Sequence, residues 1–399
     1  MSPAPPPTPT QGATIQFAST AQSAGEASGA AQIVVTRTGD TSTTSAVDVR
    51  TVDDTRAVRC DDTASAPGTA FARCDYATTV QTVTFAPGET SKTVNVPLVN
   101  DSYVEPDETT QLALSNPTNG AAIGAPTATL TIVSDDAPGA SNPVVSTDYG
   151  FFVRQQYLDF FGREPDAGGF QAWKGTLDNC PDPFNSSPTS LSANCDRVSV
   201  SKNFFRSTEF ELKGRFVFDF YKAALGRLPR YSEIIPDMAG LTAVDNAGFF
   251  ARKAAFTDSF VQRPEFKSLY DALTNQQFID ALMGRYNLAS VTTANPASPD
   301  DTSSPRVTLT RGDLTSRLSG ATLTRAQALR AVADSDEVRA AEANSSFVAM
   351  QYFGYLRRDP DQGGYNDWLR TIDANPNDIR SMVNGFMNSQ EYRLRFGQQ

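Results

Sequence analysis

The sequence contains no histidine, and this absence narrows the chemistry available to the chain. Catalytic triads and Cys–His pairs that use histidine as the base cannot be built from it. Positive charge is also scarce, since 34 Lys and Arg residues stand against 45 Asp and Glu residues, a net charge of −11. Phosphate binding needs a basic surface, so the composition argues against nucleic acid as a partner. The sequence has no apolar run of 18 residues, which argues against a membrane span.

Cysteine is sparse, and its four residues form two local pairs. Cys60 and Cys74 are 14 positions apart, and Cys180 and Cys195 are 15 apart. Without CxxC spacing or histidine, a zinc site is not indicated. We expect the disulfides Cys60–Cys74 and Cys180–Cys195, and therefore an oxidising compartment. Four unrelated reduced thiols are the alternative.

The first 136 residues change character at about residue 13. Residues 1–12 are rich in proline and lack the basic and apolar segments of a signal peptide, so we expect a flexible leader. This start could also be the cut end of a larger or already processed protein. In residues 13–136, Val, Thr and Ile alternate with polar residues, and turn signals recur about every ten positions. Seven or so short strands of this kind predict an immunoglobulin-like β-sandwich.

An acidic stretch at residues 100–108 follows one of these strand-like runs. It contains Asp101, Glu105, Asp107 and Glu108 within nine positions. Like charges this close repel one another unless a cation lies among them. Carboxylates are ligands that calcium prefers, and calcium takes six to eight oxygens. A solvated acidic loop without a metal is the alternative.

Residues 13–136 resemble the Calx-beta domain. The matching motifs lie in order at 25–29, 37–39, 68–76, 84–90, 105–108, 114–117 and 131–136. In that family, loops at one end of the sandwich bind calcium through acidic side chains. Asn100 and Ser134 stand where calcium-binding members carry Asp, and an empty structural sandwich is the alternative. The resemblance implies a calcium site made of Glu26, Asp75, Asp101, Glu105, Glu108, Asp135 and Asp136.

Residues 53–67 look inserted relative to that family. A Cys60–Cys74 disulfide would constrain this insertion, and Cys74 directly precedes the candidate ligand Asp75. We therefore hypothesise that the bridge fixes a loop of the metal site. A staple for a flexible insertion, without a role at the metal, is the alternative.

Residues 137–147 are a short linker, and residues 148–399 predict an all-helical domain. Adding 195 to the residue number maps twelve of the 27 residues in 152–178 onto identical residues, for example Tyr157 onto Tyr352. Such self-similarity indicates packed copies of one helical unit. A second motif, with the serine or arginine of a helix start two residues before a glutamate, begins at 207, 263, 335 and 389. We expect repeated units at 148–215, 216–275, 276–340 and 341–399.

This repeated pattern resembles the bacterial domain-of-unknown-function family 4214. The resemblance implies a helical extracellular interaction module and names no reaction. Aromatic, glycine and acidic residues in the pattern could stack and bind a sugar ring. The alternative is that the tryptophans are core, the glycines shape loops and the arginines pair with carboxylates. The possible ligand residues are Arg163, Asp166 and Trp173 in the first copy, and Arg358, Asp361 and Trp368 in the last.

The sequence as a whole predicts a multidomain all-β plus all-α protein that is not an enzyme. We expect a secreted or cell-surface bacterial protein with a structural or interaction role, in which Ca2+ bridges loops and adds stability. Its partners would be other surface proteins or itself, as a homo-oligomer, layer, filament or adhesive contact. The alternative is a carbohydrate-binding or enzyme-accessory module of a larger exoprotein. A carboxylate-pair hydrolase is a third reading, but no spacing argues for one.

Overall fold

The computed structural model describes residues 12–398 except 55, 57, 63–65, 185, 186, 188–190, 244, 302 and 376–378. The predicted leader therefore lies outside the described residues, apart from Gly12. The chain divides into two compact units, Met1–Ser146 with Arg393–Gln399, and Thr147–Tyr392. Residues 393–398 thus pack with the first unit, whereas the sequence predicts them in the helical domain.

The first unit is a β-sandwich of two sheets. A four-stranded sheet has the order β6-β3-β1-β8, and a five-stranded sheet has the order β2-β9-β7-β4-β5. Short 3₁₀ turns lie at Glu26–Ser28 and Pro143–Val145. The strands are β1 (Thr14–Phe17), β2 (Ala21–Gly25), β3 (Ala30–Thr38), β4 (Ser45–Val52), β5 (Val80–Phe85), β6 (Ser91–Pro97), β7 (Glu108–Ser115), β8 (Ala122–Ile123) and β9 (Thr127–Val133).

Because side chains alternate along a strand, every second side chain points into the space between the two sheets. In β3 the buried side chains include Ile33 and Val35, and in β6 they include Val94 and Val96. These residues pack in one cluster with apolar side chains of the other sheet, such as Leu130. Alternation of β-branched with polar residues therefore produces the sandwich, as the sequence predicts.

Strand direction brings several loops to one pole of the sandwich. β2 and β9 are parallel, and their last residues, Gly25 and Val133, lie opposite each other. Glu108, the first residue of β7, pairs with Ile132 near the end of β9. β6 ends at Pro97, opposite the first residue of β3. The segments that follow β2, β6 and β9 therefore collect at the pole where β7 begins.

The second unit is built mainly from helices. Gly162, in the left-handed conformation, ends the first of them, as the sequence predicts. Two π-helical turns lie at Glu211–Arg215 and Tyr352–Leu356. The helices are α1 (Gly150–Phe161), α2 (Ala167–Asp178), α3 (Arg197–Phe205), α4 (Thr208–Phe210), α5 (Phe216–Leu225), α6 (Tyr231–Gly240), α7 (Asn246–Phe260), α8 (Pro264–Tyr270), α9 (Asn275–Gly284), α10 (Arg311–Ser319), α11 (Arg325–Ala333), α12 (Asp336–Ala341), α13 (Ala343–Gln351), α14 (Gln362–Ala374), α15 (Ile379–Met387) and α16 (Gln390–Arg393).

The second unit also contains a two-stranded antiparallel hairpin. The prediction that this part of the chain is all-helical is therefore wrong for residues 290–310. Its strands are β10 (Ser290–Thr293) and β11 (Val307–Thr310), and Val291 pairs with Leu309. Both strands are rich in Thr and Val, which favour extended backbone. Residues 294–306 connect the two strands. Within the described ranges, no helix has the length and apolar character needed to cross a membrane.

Candidate metal centre

The seven carboxylates predicted as ligands all lie at the pole described above, in loops or at strand ends. The β2–β3 and β6–β7 connections join the two sheets, the β4–β5 connection joins neighbouring strands of the five-stranded sheet, and the last segment follows β9. Glu26 lies in the 3₁₀ turn after β2, Asp75 between β4 and β5, Asp101 and Glu105 between β6 and β7, Glu108 at the start of β7, and Asp135 and Asp136 after β9.

Six of the seven carboxylates form two triads. In the first triad, Glu26, Asp135 and Asp136 each offer one carboxylate oxygen, and these oxygens lie within 4.8 Å of one another. In the second triad, Asp75, Asp101 and Glu105 meet the same criterion. The seventh carboxylate, that of Glu108, lies close to that of Asp75 and helps to raise the Asp75 pKa. The fold therefore brings together residues that are up to 110 positions apart in the sequence.

Backbone amides orient carboxylates of both triads. The Asp101 N–H donates to Glu26 Oε1 at 2.7 Å, which links the two triads. The Tyr103 N–H donates to Asp101 Oδ1 at 2.7 Å, and the Phe71 N–H donates to Asp75 Oδ2 at 2.5 Å. Hydrogen bonds of this kind favour the ionised carboxylate and fix its direction.

Burial and mutual repulsion disfavour the ionised state of these groups. Burial, reinforced by Asp136 and Asp135, raises the pKa of Glu26 to about 7. Burial also raises the pKa of Glu105 to about 8 and that of Glu108 to about 7, with nearby carboxylates adding to the shift.

The two most buried carboxylates of the second triad also have raised pKa values. The pKa of Asp75 and that of Asp101 both stand well above the usual value, because the side chains are buried and because Glu108 and Glu26 lie close by. A divalent cation among the seven groups would reverse these shifts, since it favours the charged form.

Two buried oxygens at this pole have no hydrogen-bond donor among the described residues. They are Asn100 Oδ1 and Asp136 Oδ2. Leaving a buried acceptor unsatisfied costs roughly 1–3 kcal/mol, so such atoms call for a partner. A calcium ion accepts amide and carboxylate oxygens alike, and the set of oxygen donors without histidine suits a hard cation. The residues present therefore fit calcium.

Asn100 is a candidate ligand that the sequence did not suggest. In the resemblance to the Calx-beta domain, its position counts only as a departure from the aspartate of calcium-binding relatives. An amide oxygen can replace a carboxylate oxygen as a neutral ligand, so the substitution keeps the donor atom and removes one charge. That property of asparagine was the available signal.

The predicted Cys60–Cys74 bridge is present beside the second triad, with the two Cα atoms 5.4 Å apart. Both cysteines pack in a small apolar cluster with Phe71. The Cys74 and Asp75 N–H groups both donate to the Phe71 carbonyl, so the turn that holds Asp75 is tied to the bridge. The Cys180–Cys195 bridge is also present, with its Cα atoms 5.5 Å apart.

The candidate ligand residues of the helical unit are engaged in contacts within the protein. Arg163 donates from Nε and Nη2 to the two carboxylate oxygens of Glu209, at 2.8 and 2.6 Å, and its guanidinium lies 5.1 Å from the Tyr157 ring centre. Arg358 forms the equivalent pair with Glu391, at 2.7 and 3.1 Å. These contacts favour the alternative in which the arginines pair with carboxylates.

The aspartates and tryptophans of the same pattern also have packing partners. Asp166 caps α2 by accepting from the Gly169 N–H at 2.8 Å, and Asp361 caps α14 in the same way. A side chain at Gly169 would overlap the Tyr157 hydroxyl. Trp173 is half-buried, with its ring centre 5.7 Å from that of Phe204, and Trp368 lies 6.0 Å from Phe386. The geometry therefore favours packing over sugar binding for this set.

Comparison with known protein families finds one match at each end of the chain. The Calx-beta domain matches residues 9–137, and a domain of unknown function, DUF4214, matches residues 339–396. Both resemblances are thus confirmed, in the predicted order. The DUF4214 match covers the last of the predicted repeated units, and the earlier units stay a prediction. A search of curated proteins finds no match.

Several solved structures are similar to about a third of the chain. The apo form of the Calx CBD1 domain is 26% identical, with 32% of this chain and 100% of that chain covered and a TM-score of 0.26. The calcium binding domain CBD12 of CALX1.1 is 28% identical, with 31% and 44% covered and a TM-score of 0.26. A two-domain protein of unknown function from Bacteroides fragilis is 12% identical, with 31% and 46% covered and a TM-score of 0.21. The chain thus covers less than half of the latter two proteins.

Proposed function

We propose that the first unit is a calcium-binding module of a non-catalytic secreted or cell-surface protein, and that one calcium ion binds at each carboxylate triad. The observation that carries this proposal is the convergence of six carboxylates into two triads beside the unsatisfied Asn100 oxygen. The match to the Calx-beta domain family supports it. The ions would have a structural role and would supply no chemistry.

Each ion would join segments that belong to different parts of the sandwich. The first triad takes Glu26 from the β2–β3 connection and two aspartates from the segment after β9. The second takes Asp75 from the β4–β5 connection and two carboxylates from the β6–β7 connection. Binding would therefore cross-link four loops and raise the stability of the first unit by mass action. Two divalent ions would also offset most of the charge of the seven carboxylates.

Calorimetric titration of the purified full chain with calcium tests this proposal. We expect heat of binding at two sites and a higher melting temperature than in EDTA. Asp101→Asn and Asp75→Asn should each weaken binding at the second triad. Asp107→Asn is the matched control, because Asp107 is exposed on the same loop and belongs to neither triad. Absence of heat at millimolar calcium, with melting indifferent to EDTA, would refute calcium binding.

The proposed location outside the cytoplasm and the proposed structural role rest on separate observations. Two disulfides are consistent with an oxidising environment outside the cytoplasm. Open-edged sheets and a helical unit with repeated features offer surfaces for contact with other surface proteins or with further copies of the chain. Electron microscopy of the purified protein with calcium and with chelator tests assembly. Layers, filaments or closed oligomers that require calcium would support a structural role, whereas monomers under both conditions would contradict self-assembly.

A further inference from the structure

The C-terminal segment 393–397 lies against the loop that carries two ligands of the second triad. The Tyr103 hydroxyl donates to the Leu394 carbonyl at 2.9 Å, and Ser102 Oγ donates to the Phe396 carbonyl at 3.0 Å. Ser102 and Tyr103 directly follow the candidate ligand Asp101. Two consecutive residues of this loop therefore hold the backbone of the C-terminal segment.

The segment is also held from two other places in the first unit. Asn142 Nδ2 donates to the carbonyls of Arg393 and Gly397, both at 2.8 Å. Arg395 Nε donates to the Arg73 carbonyl at 3.3 Å. Arg73 precedes Cys74 and Asp75, so the C-terminal segment touches both chain segments that supply the second triad.

Burial shows that the segment is an integral part of this unit. Phe396 and Arg395 are 0% and 1% exposed, and the Arg395 guanidinium lies 4.7 Å from the Phe396 ring centre. Gly397 has a φ of +144°, and a Cβ atom at this position would overlap Ser102 Oγ. The fit thus depends on a glycine directly after the buried phenylalanine.

We infer that residues 393–397 are a positioning element for the calcium centre, which holds the 100–107 loop and the 71–75 turn in the conformation that brings Asp75, Asp101 and Glu105 together. This inference rests on the proposed calcium binding. Calcium binding and the packing of residues 393–397 against the loop are then thermodynamically linked. The factor by which the packed segment raises calcium affinity should equal the factor by which calcium favours the packed segment.

Two variants of the full chain test the inference by calorimetric titration with calcium. Deletion of residues 393–399 removes every contact of the segment, and we expect it to weaken binding at one site about tenfold, which corresponds to about 1.4 kcal/mol. Gly397→Ala adds one methyl group against Ser102 and should weaken the same site by a smaller factor. Gly88→Ala is the control, since Gly88 also has a positive φ but lies in the β5–β6 turn with nothing near its Cβ position.

Trypsin cleavage after Arg393 and Arg395, followed by mass spectrometry, gives a readout that does not depend on the variants. Calcium should slow both cleavages in the wild-type chain, and magnesium at the same concentration should slow them less. If the wild-type chain binds calcium, but the deletion and Gly397→Ala leave both affinities unchanged and calcium does not slow cleavage, the inference is overturned while the proposed calcium binding stands. If the wild-type chain binds no calcium, the proposed function itself fails.

Discussion

Glu26→Gln should stabilise the first unit in the absence of calcium, and calcium should remove that gain. Glu26 is 5% exposed, and its pKa is raised from 4.5 to about 7 by burial and by two neighbouring aspartates. Glutamine removes the charge and keeps an oxygen for the hydrogen bond donated by the Asp101 N–H. One pKa unit corresponds to about 1.4 kcal/mol, so the metal-free variant should be roughly 3 kcal/mol more stable than wild type at pH ~8.

The pH dependence of this difference follows from the raised pKa of Glu26. Because the folded chain holds the proton more tightly than the unfolded chain, ionisation destabilises the folded state. The penalty is absent below the unfolded pKa of about 4.5, grows as the pH rises, and is complete above about pH 7. For a unit of this size, roughly 3 kcal/mol corresponds to a shift in melting temperature of roughly 6–12 °C.

In saturating calcium, the Glu26→Gln chain should no longer be more stable than wild type. A ligand present at 100 times its dissociation constant stabilises the folded state by about 2.7 kcal/mol per site, and the variant loses a carboxylate of the first triad. The calcium-dependent rise in melting temperature should therefore be about half that of wild type if the two sites contribute equally.

Scanning calorimetry in EDTA and in calcium, at pH values from about 5 to 8, measures both effects. Asp107→Asn, an exposed change on a neighbouring loop, should leave the calcium response intact. A Glu26→Gln chain that melts below wild type in EDTA at pH ~8, and responds to calcium as wild type does, would refute the electrostatic reasoning.

Four further changes test other parts of the structure. Asn100→Leu removes the unsatisfied amide oxygen and should weaken calcium binding roughly tenfold, whereas Asn100→Asp should tighten it; titration of both variants compares them. Calcium affinity should fall as the pH is lowered from about 8 to 6, because protons compete for carboxylates such as Glu105, whose pKa is about 8; equal affinities across buffers would contradict this. Replacing Cys60 and Cys74 by serine should cost roughly 3 kcal/mol of stability, measured by thermal melting against the oxidised wild type. Arg227→Lys cannot keep the paired contacts to two glutamates and should destabilise the helical unit by about 1–2 kcal/mol in denaturant melts.

The sandwich and the place of its acidic loops could be predicted from the sequence because their signals are local. Strands such as β3 and β9 alternate apolar and polar residues, and this pattern alone defines a buried face. The candidate ligands adjoin predicted strands, so once the fold is known their convergence follows from strand direction. That they bind calcium stays a prediction.

The features that the sequence did not predict have a weak local pattern or none. β2 is a polar edge strand with no buried apolar side chain, so its pairing with β9 leaves no alternation to detect. The C-terminal segment is short, and its role depends on Tyr103, almost 300 positions away. The β10–β11 hairpin did carry a Thr- and Val-rich pattern, but its strands have only four residues each and lie between long helical stretches.

The paired contacts between arginine and glutamate also decide where the helical unit can be divided. Arg163 and Glu209 are 46 positions apart, Arg227 and Glu265 are 38 apart, and Arg358 and Glu391 are 33 apart. A fragment boundary inside any of these intervals would separate a partly buried guanidinium from its carboxylate. The guanidinium would then be a partly buried charge without its ion-pair partner. Shorter pieces intended for crystallisation or NMR should therefore start upstream of an arginine and stop downstream of its glutamate.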